Sequence, residues 1–388
     1  MSSSRLVGVI GSAIHAVVLD VERRSLEEII YDAVQECLRD AGVTSADFEG
    51  IVVASNDQYD GRAISVMAAS GSVGGVDRDI LSTPSAAEHA FVMGTLRVAS
   101  GQFDTQLVVS WGTREASSQS EVERLAADPY YHRALPLDDL AGQALQASAI
   151  LSAMPSAEAL TRRILMKNRA NGLIAFPDTA ATCPTHDEVM ASRVRRWPLR
   201  DAMISPRTTG VVALFLASEE FIEARRIDAA WIAGMGWATE PSFLGDRDLA
   251  QAPALVAAAK VAYREAGVAD PATAFDLAEV ADATAYQELL AYEALGLASR
   301  KDWQAKVSEG SFGPTGDLPV NLSGGAVSRN PTFCAGLVAI GEVANQVRGR
   351  AGRIQKPIVR QALAHAASGI AMQYQTVVVL RSSKGASQ

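Results

Sequence analysis

The chain has 388 residues, a formal net charge of -9, 48% hydrophobic residues and 20% charged residues. This composition is typical of a globular protein with two or three structural units and excludes a disordered chain. The negative charge and the lack of a Lys/Arg block disfavour nucleic acid and anionic membranes as partners. No run reaches the ~18 apolar residues of a membrane span, and the short apolar run near the N-terminus favours a buried strand over a signal peptide.

Three cysteines, Cys37, Cys183 and Cys334, lie far apart in the chain. Their odd number and wide spacing indicate a reducing compartment, so we expect a cytoplasmic protein without a disulfide framework. The sequence lacks the His/Cys/Asp spacing of a metal site, a phosphate loop and a dinucleotide-binding fingerprint. We therefore expect no metal site.

The first elements predicted along the chain are a strand, a helix and a second strand. The apolar run at residues 6–10 predicts the first strand. Ser25 opens a capping box, and the helix that follows ends at Gly42, because glycine adopts the left-handed conformation easily. Residues 48–54 predict the next strand.

The same order of elements returns in the second half of the chain. Residues 230–236 predict a strand, residues 253–265 a helix that ends at Gly267, and residues 275–281 another strand. Matching helix ends and strand patterns favour duplication. We therefore predict an N-terminal half at residues 1–227 and a C-terminal half at residues 228–388. A mixed helix and loop insertion at about residues 115–205 is expected to cover an active site or make subunit contacts.

Five segments resemble one branch of a known superfamily. Residues 278–297 (AEVADATAYQELLAYEALGL) resemble xELHDCFxxNELLTYEALGL, and residues 318–337 (LPVNLSGGAVSRNPTFCAGL) resemble xxINPSGGLxxxGHPxGATGL. Both patterns are typical of the sterol-carrier-protein-x and lipid-transfer-protein branch of the thiolase superfamily. Residues 157–179, 187–220 and 362–380 resemble the same branch, so the likeness covers nearly the whole chain. It implies an α/β thiolase fold of two duplicated βαβαβαββ halves in five layers, α-β-α-β-α, which is usually a dimer.

The nucleophile of that family is missing here. Thiolases carry a cysteine at the start of a helix that corresponds to about residues 86–99. That position falls near Pro84 or Ser85, and no cysteine lies between Cys37 and Cys183.

Both histidines of the family patterns are also replaced. The histidine of HDCF falls on Ala281, and the histidine of GHP falls on Asn330. Alanine cannot move a proton, and asparagine is neither a useful acid nor a useful base near neutral pH. Thiolysis needs an activated thiolate and a second proton carrier, so ordinary thiolase activity is not expected.

The resemblance implies that an oxyanion site and a channel for the pantetheine arm of coenzyme A are kept. An enolate of an acyl-CoA can then still be stabilised, and retro-aldol cleavage of a β-hydroxyacyl-CoA needs only that enolate and a base. Some lipid-transfer-protein-type relatives are retro-aldolases. Coenzyme A is expected as part of the substrate, with no covalently bound cofactor.

Ser85 and three neighbours of the lost groups are candidate catalytic residues. Ser85 is either a weak nucleophile at a helix start or the N-cap of that helix, and His89 lies one turn further along the same face. Asp282 either anchors a loop or takes part in the chemistry. Tyr286 either reaches the pocket with its phenol or is a buried, hydrogen-bonded tyrosine.

The C-terminal half supplies the other candidates. Asn330 is expected to donate to a thioester oxygen, and Cys334 is either a pocket thiol or a small buried side chain. His365 matches a family histidine and is the best-placed remaining proton carrier. Gly324 and Gly325 are candidates for close backbone approach to the coenzyme A substrate, or for a tight turn.

Three functions stay open at this point. The first is non-thiolytic C–C bond chemistry on an acyl-CoA thioester, of the retro-aldol type. The second is a non-catalytic thiolase-like subunit of a heteromeric acyl-CoA complex, and the third is an acyltransferase that uses Ser85 or Cys334. The resemblance implies a homodimer or a thiolase-like heterodimer, with a small OB-fold, zinc-ribbon protein as a further partner.

Overall fold

Buried runs of β-branched and aromatic residues build the strands of this protein. In GVVALFLAS at residues 210–218, every residue is buried, as expected for a strand covered on both faces. The computed structural model describes residues 5–15, 24–61, 64–112, 119–178 and 180–384, so that part of the predicted insertion lies outside the described residues. The strands of the described residues are β1 (Val7–His15), β2 (Gly50–Ala54), β3 (Asp79–Thr83), β4 (Thr105–Gly112), β5 (Val194–Arg196), β6 (Leu199–Arg200), β7 (Gly210–Ser218), β8 (Ala230–Thr239), β9 (Leu277–Glu279), β10 (Gln361–Ser368) and β11 (Tyr374–Arg381).

Helices and short 3-10 segments connect these strands. The α-helices of the described residues are α1 (Leu26–Ala41), α2 (Asp57–Asp60), α3 (Ser65–Ala69), α4 (Ala87–Ala99), α5 (Gln119–Ala126), α6 (Asp139–Ala153), α7 (Ala157–Ala175), α8 (His186–Ala191), α9 (Glu219–Arg225), α10 (Pro253–Ala266), α11 (Ala285–Ala294), α12 (Trp303–Glu309), α13 (Gly325–Ser328) and α14 (Ala335–Val347). The 3-10 segments are Ser45–Asp47, Asp201–Met203, Leu244–Asp246, Arg300–Asp302 and Gly352–Ile354.

The order of the strands in the large sheet shows the duplication. Within the described residues, nine strands pair in the order β3-β2-β4-β7-β1-β8-β11-β10-β9. Read outward from its centre, β1-β7-β4-β2 is matched by β8-β11-β10-β9, with the same parallel and antiparallel pairings. The two series meet where β1 pairs with β8, Gly8 opposite Trp231. The first series continues from β2 to β3. In the second series the corresponding position beside β9 holds an isolated bridge, in which Val320 pairs with Ala278. The exact residue boundary between the halves stays a prediction.

Alternation of side chains along the strands produces the layers. Leu107 and Val109 of β4 pack with α1 on an outer face, whereas Val108 packs with α4 and α14. The central cluster also contains Ala364 and Val378 from the second series of strands, so α4 and α14 lie between the two parts of the sheet. On the far side, α10 packs on β8 and β11. This is the five-layer α-β-α-β-α arrangement that the resemblance implies.

The predicted helix ends are confirmed, and the strand bounds differ. Ser25 forms the capping box of α1, and Gly42 and Gly267 end α1 and α10 in the left-handed conformation, with φ of 67° and 64°. The first strand runs on to His15 because it pairs with β7 along its whole length. The strand predicted at residues 275–281 is shortened to β9, since the chain turns away after Glu279. In the insertion, a small hairpin of β5 and β6 accompanies the expected helices.

Candidate active site

The two central helices, α4 and α14, begin at the same cavity. This cavity has a volume of about 740 Å³, and its lining includes Ser85 and Ala86 at the start of α4 and Ala335 and Gly336 at the start of α14. Neither helix has a side-chain hydrogen bond at its N-cap, so the first backbone N–H groups of both are left without a capping acceptor. Since the N-terminal end of a helix carries partial positive charge, both helices favour an anion at this place.

Glu279, at the end of β9, is one of the acidic groups of the cavity, with Glu88, Asp139 and Asp282. Its side chain is only 2% exposed and accepts from the Ser323 backbone N–H at 3.0 Å and the Ser323 hydroxyl at 2.5 Å. Burial raises the pKa of Glu279 to about 7, against the opposing effect of the Ser323 hydroxyl bond, and the charge of Glu342 raises it further. Glu279 was not among the site residues predicted from the sequence. The available signal was a carboxylate at the end of an apolar strand, two residues before Ala281.

Asp282 anchors the loop that follows β9. It accepts from the Asn168 side-chain amide at 2.7 Å and from the Ala326 backbone N–H at 2.5 Å, and it is 1% exposed. Burial raises the pKa of Asp282 well above its usual range, and the neighbouring Glu288 adds to this shift. Gly325 is required beside it, because a Cβ at that position would overlap the Asp282 carboxyl group. The contacts favour the anchoring alternative for Asp282, and its part in the chemistry stays a prediction.

His365 lines the cavity as a neutral ring. Its Nε2 lies 2.8 Å from Oε1 of Gln375, and the Ala281 backbone N–H donates to its Nδ1 at 3.4 Å. Gln375 in turn donates its amide to the Met372 carbonyl, so its oxygen faces the ring and His365 donates from Nε2. Burial lowers the pKa of His365 to about 4. With both nitrogens occupied, the ring is poorly placed to transfer protons, in contrast to the role expected from the sequence.

Ser85 and His89 line the cavity but do not bond to each other. The Ser85 hydroxyl lies 2.6 Å from the hydroxyl of Thr83. Ala86 is the N-cap of α4, so the N-cap alternative for Ser85 is wrong. His89 lies edge-on to Tyr374 with ring centroids 5.6 Å apart. Neither the His89 imidazole nor the Tyr374 hydroxyl forms a hydrogen bond to a described residue, so both groups are available to a ligand.

Asn330 also lines the cavity, and its backbone is fixed by the segment before β7. Its N–H donates to the Pro206 carbonyl at 3.1 Å, and its carbonyl accepts from the Thr208 N–H at 2.9 Å. The side-chain amide makes no hydrogen bond to a described residue. It is therefore free to donate to a ligand, and the donor role predicted for it towards a thioester oxygen stays a prediction.

Three of the residues selected from the sequence are absent from the cavity lining. Cys334 is the N-cap of α14 and packs in the central core, where burial raises its pKa to about 12. Tyr286 packs in the outer core of the second half, and burial raises its pKa to about 12. Gly324 has φ of 91° and touches Gly172 of α7, so it permits a close helix contact and not a substrate contact.

A second cavity, lined by four arginines and by the four acidic residues Glu123, Asp138, Asp139 and Asp201, adjoins the first. It has a volume of about 890 Å³ and shares Ile204, Ser205 and Arg207 with the first cavity, among other residues. The hairpin of β5 and β6 forms part of its wall, with Trp197 at its tip 70% exposed. Glu279 lines the first cavity, and the shared residues lie where the two cavities adjoin. The arginines that line the second cavity are Arg169, Arg195, Arg196 and Arg207.

Two further features concern cofactors and membranes. In the described ranges, no group of three or more His, Cys, Asp and Glu side chains is arranged to hold a metal ion. The helices of those same ranges are too short or too polar to cross a bilayer.

Part of the chain is similar to known protein sequences. Residues 237–382 match the family model described as thiolase C-terminal domain-like. Sterol carrier protein 2 of Oryctolagus cuniculus is 32% identical over 186 residues, which cover 46% of this chain and 34% of that protein. An acetyl-CoA acetyltransferase of Methanothermobacter thermautotrophicus is 31% identical over 173 residues, covering 44% of this chain and 45% of that protein. The matched region thus spans only about a third of the length of sterol carrier protein 2.

Solved structures show the same fold over the whole chain. The Ltp2-ChsH2(DUF35) aldolase superposes with a TM-score of 0.79 at 17% identity, covering 98% of this chain and 99% of that one. A monomeric SCP2-thiolase like protein type 1 from Mycobacterium smegmatis gives 0.71 at 17% identity, covering 98% and 78%. Human mitochondrial 3-ketoacyl-CoA thiolase gives 0.72 at 15% identity, covering 98% and 99%. The C-terminal part of the chain is therefore similar in sequence to thiolase C-terminal domain-like proteins, and the whole chain has the fold of SCP2-thiolase-like proteins.

Proposed function

We propose that the protein cleaves a C–C bond of a β-hydroxyacyl-CoA thioester by a retro-aldol reaction. The observation that carries this proposal is the position of Glu279. A buried carboxyl group whose pKa is raised to about 7 lines a cavity at which two uncapped helix starts converge. A general base with a pKa near the working pH is what deprotonation of a β-hydroxyl group needs.

Each proton and bond has a place in this reaction. The Glu279 carboxylate takes the proton of the β-hydroxyl group, and the electron pair of the Cα–Cβ bond passes to the α-carbon. This step releases a ketone or aldehyde and leaves the thioester enolate. The N–H groups at the starts of α4 and α14, with the amide of Asn330, stabilise the negative oxygen of the enolate. The protonated Glu279 then returns its proton to the α-carbon, which gives the shortened acyl-CoA.

The second cavity suits the rest of a coenzyme A substrate. Arginines bind phosphate with paired, charge-assisted hydrogen bonds, and four of them line this cavity. The exposed indole of Trp197 offers a surface on which a purine can stack. We assign coenzyme A to this cavity as the carrier part of the substrate, with its pantetheine arm directed through the shared residues towards Glu279.

Acyl transfer is less well supported by the same geometry. Cys334 is fully buried with a raised pKa, and the Ser85 hydroxyl is bonded to Thr83 and forms no hydrogen bond to a base among the described residues. Both nucleophiles of the acyltransferase alternative therefore lack activation.

The scaffold alternative has support from one comparison. The structure named Ltp2-ChsH2(DUF35) aldolase carries a second protein in its name, whereas another thiolase-like neighbour is described as monomeric. We propose that a small partner of the OB-fold, zinc-ribbon kind assists this chain in the same way, and that the chain forms a homodimer or thiolase-like heterodimer. An open cavity of about 740 Å³ favours a catalytic chain over a scaffold with a filled site.

The test is a cleavage assay on the chain purified from its native source with its partners, and on the chain alone. A series of 3-hydroxyacyl-CoA thioesters with short, aromatic and polycyclic acyl groups is offered. Carbonyl product is trapped with a hydrazine, and the shortened acyl-CoA is measured by chromatography. We expect turnover that Glu279→Gln abolishes and that Glu309→Gln, the same change at an exposed carboxylate, leaves intact. Equal turnover by the Glu279→Gln complex would assign the chemistry to the partner.

A further inference from the structure

One residue of the cavity is a large cation beside the position of a lost catalytic histidine. In the segment that resembles SGGLxxxGHP, which is one residue shorter here, Arg329 directly precedes Asn330, the residue at the histidine position. A guanidinium group therefore lies next to the position of a lost catalytic group. Neither the retro-aldol steps above nor the coenzyme A contacts use it.

The side chain of Arg329 is held in a fixed orientation. It is 4% exposed, lines the cavity, and its guanidinium carbon lies 3.2 Å from the centre of the Phe176 ring. One guanidinium nitrogen lies 3.7 Å from a carboxyl oxygen of Glu342 on α14. Burial lowers the pKa of Arg329 to about 10, while Glu342 and Glu279 raise it, so the group remains a cation at neutral pH.

The hydrogen-bond donors of this cation are unused. A guanidinium group has five N–H donors, and none of those of Arg329 forms a hydrogen bond to a residue in the described ranges. The distance to Glu342 is too long for a hydrogen bond. Stacking on Phe176 occupies one face of the guanidinium plane and leaves the in-plane donors available. A buried cation with unpaired donors is costly unless a ligand completes it.

We propose that Arg329 binds a carboxylate on the acyl part of the substrate, so that the protein acts on thioesters of dicarboxylic acids. This inference rests on the proposed function and narrows its substrate class. A carboxylate is the planar partner that a guanidinium group binds with two parallel hydrogen bonds. The acidic groups that face Arg329 are Glu279 and Glu342. Burial raises the pKa of both, which lowers the negative charge that an incoming carboxylate meets.

The test compares the binding of glutaryl-CoA and pentanoyl-CoA, which share a five-carbon acyl chain and differ in the terminal carboxylate. Neither has a β-hydroxyl group, so binding is measured by calorimetry without turnover. We expect the wild-type protein to prefer glutaryl-CoA by about tenfold or more, the range of a charge-assisted hydrogen bond. Arg329→Met should remove this preference without weakening pentanoyl-CoA binding, and Arg329→Lys should keep part of it. Arg353→Met, at an exposed arginine, should keep all of it.

The second arm separates ligand binding from a structural ion pair. Glu342→Gln removes the carboxylate that competes for Arg329, so we expect it to strengthen glutaryl-CoA binding and leave pentanoyl-CoA binding unchanged. If Arg329 only neutralises Glu342, this variant leaves the ratio of the two affinities as it is. If circular dichroism shows that Arg329→Met does not fold, the glutaryl-CoA and pentanoyl-CoA affinities of Arg329→Lys and Glu342→Gln test the proposal instead.

The outcomes also separate this inference from the proposed function. Equal wild-type affinities for the two thioesters overturn the carboxylate site, and so does a preference that persists in folded Arg329→Met. If neither thioester binds, the coenzyme A proposal fails, and free glutarate is then titrated. If the wild-type protein binds glutarate and Arg329→Met does not, the carboxylate site is supported. If the wild-type protein does not bind glutarate, the carboxylate site is overturned.

Discussion

Ser323 holds the carboxyl group of Glu279 from two sides, with its backbone N–H on Oε1 at 3.0 Å and its hydroxyl on Oε2 at 2.5 Å. These bonds favour the ionised carboxylate, whereas burial favours the protonated form, and the balance raises the pKa to about 7. The serine belongs to the Ser-Gly-Gly loop, whose glycines are candidates for close substrate approach or for a tight turn. Its clearest contribution in the structure is to set the ionisation of a carboxyl group 44 residues away.

The first prediction concerns the pH dependence of cleavage. Because a general base must be ionised, we expect kcat/KM for a β-hydroxyacyl-CoA to rise with pH through an inflection near 7. Ser323→Ala removes the hydroxyl bond to the carboxylate, so the inflection should move to higher pH by roughly one unit. Ser382→Ala, at an exposed serine, should leave the profile unchanged. An inflection that stays in place in Ser323→Ala would show that Glu279 is not the base.

The second prediction concerns stability, where Glu279 and His365 act in opposite directions. The folded-state pKa of Glu279 is raised from 4.5 to about 7, so its contribution is complete below pH 4.5 and is lost as the pH rises to 7. The folded-state pKa of His365 is lowered from 6.5 to about 4, so its contribution is complete above pH 6.5 and is lost as the pH falls. The two effects offset each other in the wild-type protein.

Variants of one residue at a time should therefore show the pH dependence of the unfolding free energy that each residue contributes. Relative to wild type, the free energy of unfolding of Glu279→Gln should increase from pH 4 to 6.5 by about 3 kcal/mol, the linkage value of two to three pKa units. His365→Gln should show a decrease of about 3 kcal/mol from pH 4.5 to 7 on the same basis. Urea denaturation at a series of pH values measures both, with His186→Gln at an exposed histidine as the control. If the unfolding free energies of both variants follow pH in parallel with the wild type, the pKa shifts are not those of Glu279 and His365.

Local features of the fold were predictable because nearby residues determine them. Ser25 and Gly42 act within one helix, and the strand–helix–strand repeat is visible wherever apolar periodicity is strong. The loss of the thiolase groups was equally accessible, since it needs only the identities of Ser85, Ala281 and Asn330. These predictions use sequence windows of about 20 residues or fewer, the scale of one helix or strand pair.

The long-range partners of the site were not predictable in the same way. Glu279 becomes a candidate base only through burial and Ser323, and Arg329 becomes notable only through Phe176 and Glu342. Whether Tyr286 reaches the cavity stayed open because α11 is buried on nearly all sides, so its sequence does not reveal which face meets the cavity. Such pairings depend on tertiary packing that one sequence does not display.

The third prediction concerns thiol reactivity. Burial raises the pKa of all three thiols, but the side chains of Cys37 and Cys334 are fully buried, whereas Cys183 is partly exposed and accessible to a reagent. Since the thiolate is the reactive form, iodoacetamide at pH 8 should add first to Cys183 alone. Intact-mass measurements of wild type and Cys183→Ser check this, and incubation with acyl-CoA should add no acyl group to either protein. Rapid labelling of Cys334 would restore it as a candidate nucleophile.

The fourth prediction compares two left-handed glycines that differ in their surroundings. Gly325 has φ of 61° and Gly349 has φ of 71°, so alanine is strained at both by roughly 1 kcal/mol. A Cβ at Gly349 meets nothing within 4 Å, whereas at Gly325 it overlaps the carboxyl group of Asp282. Gly325→Ala must displace Asp282 and break its bond from the Ala326 N–H, which leaves one oxygen of a buried acid without its donor.

We therefore expect the Gly325→Ala variant to lose about 2 kcal/mol more stability than Gly349→Ala, the typical cost of an unpaired buried polar group. It should also lose thioester cleavage, because the displaced loop carries the cavity wall between Glu279 and His365. Thermal unfolding and the cleavage assay measure the two effects. If both alanine variants unfold alike and Gly325→Ala keeps full turnover, then Asp282 tolerates movement, and the fixed position of the loop after β9 is not needed for the chemistry.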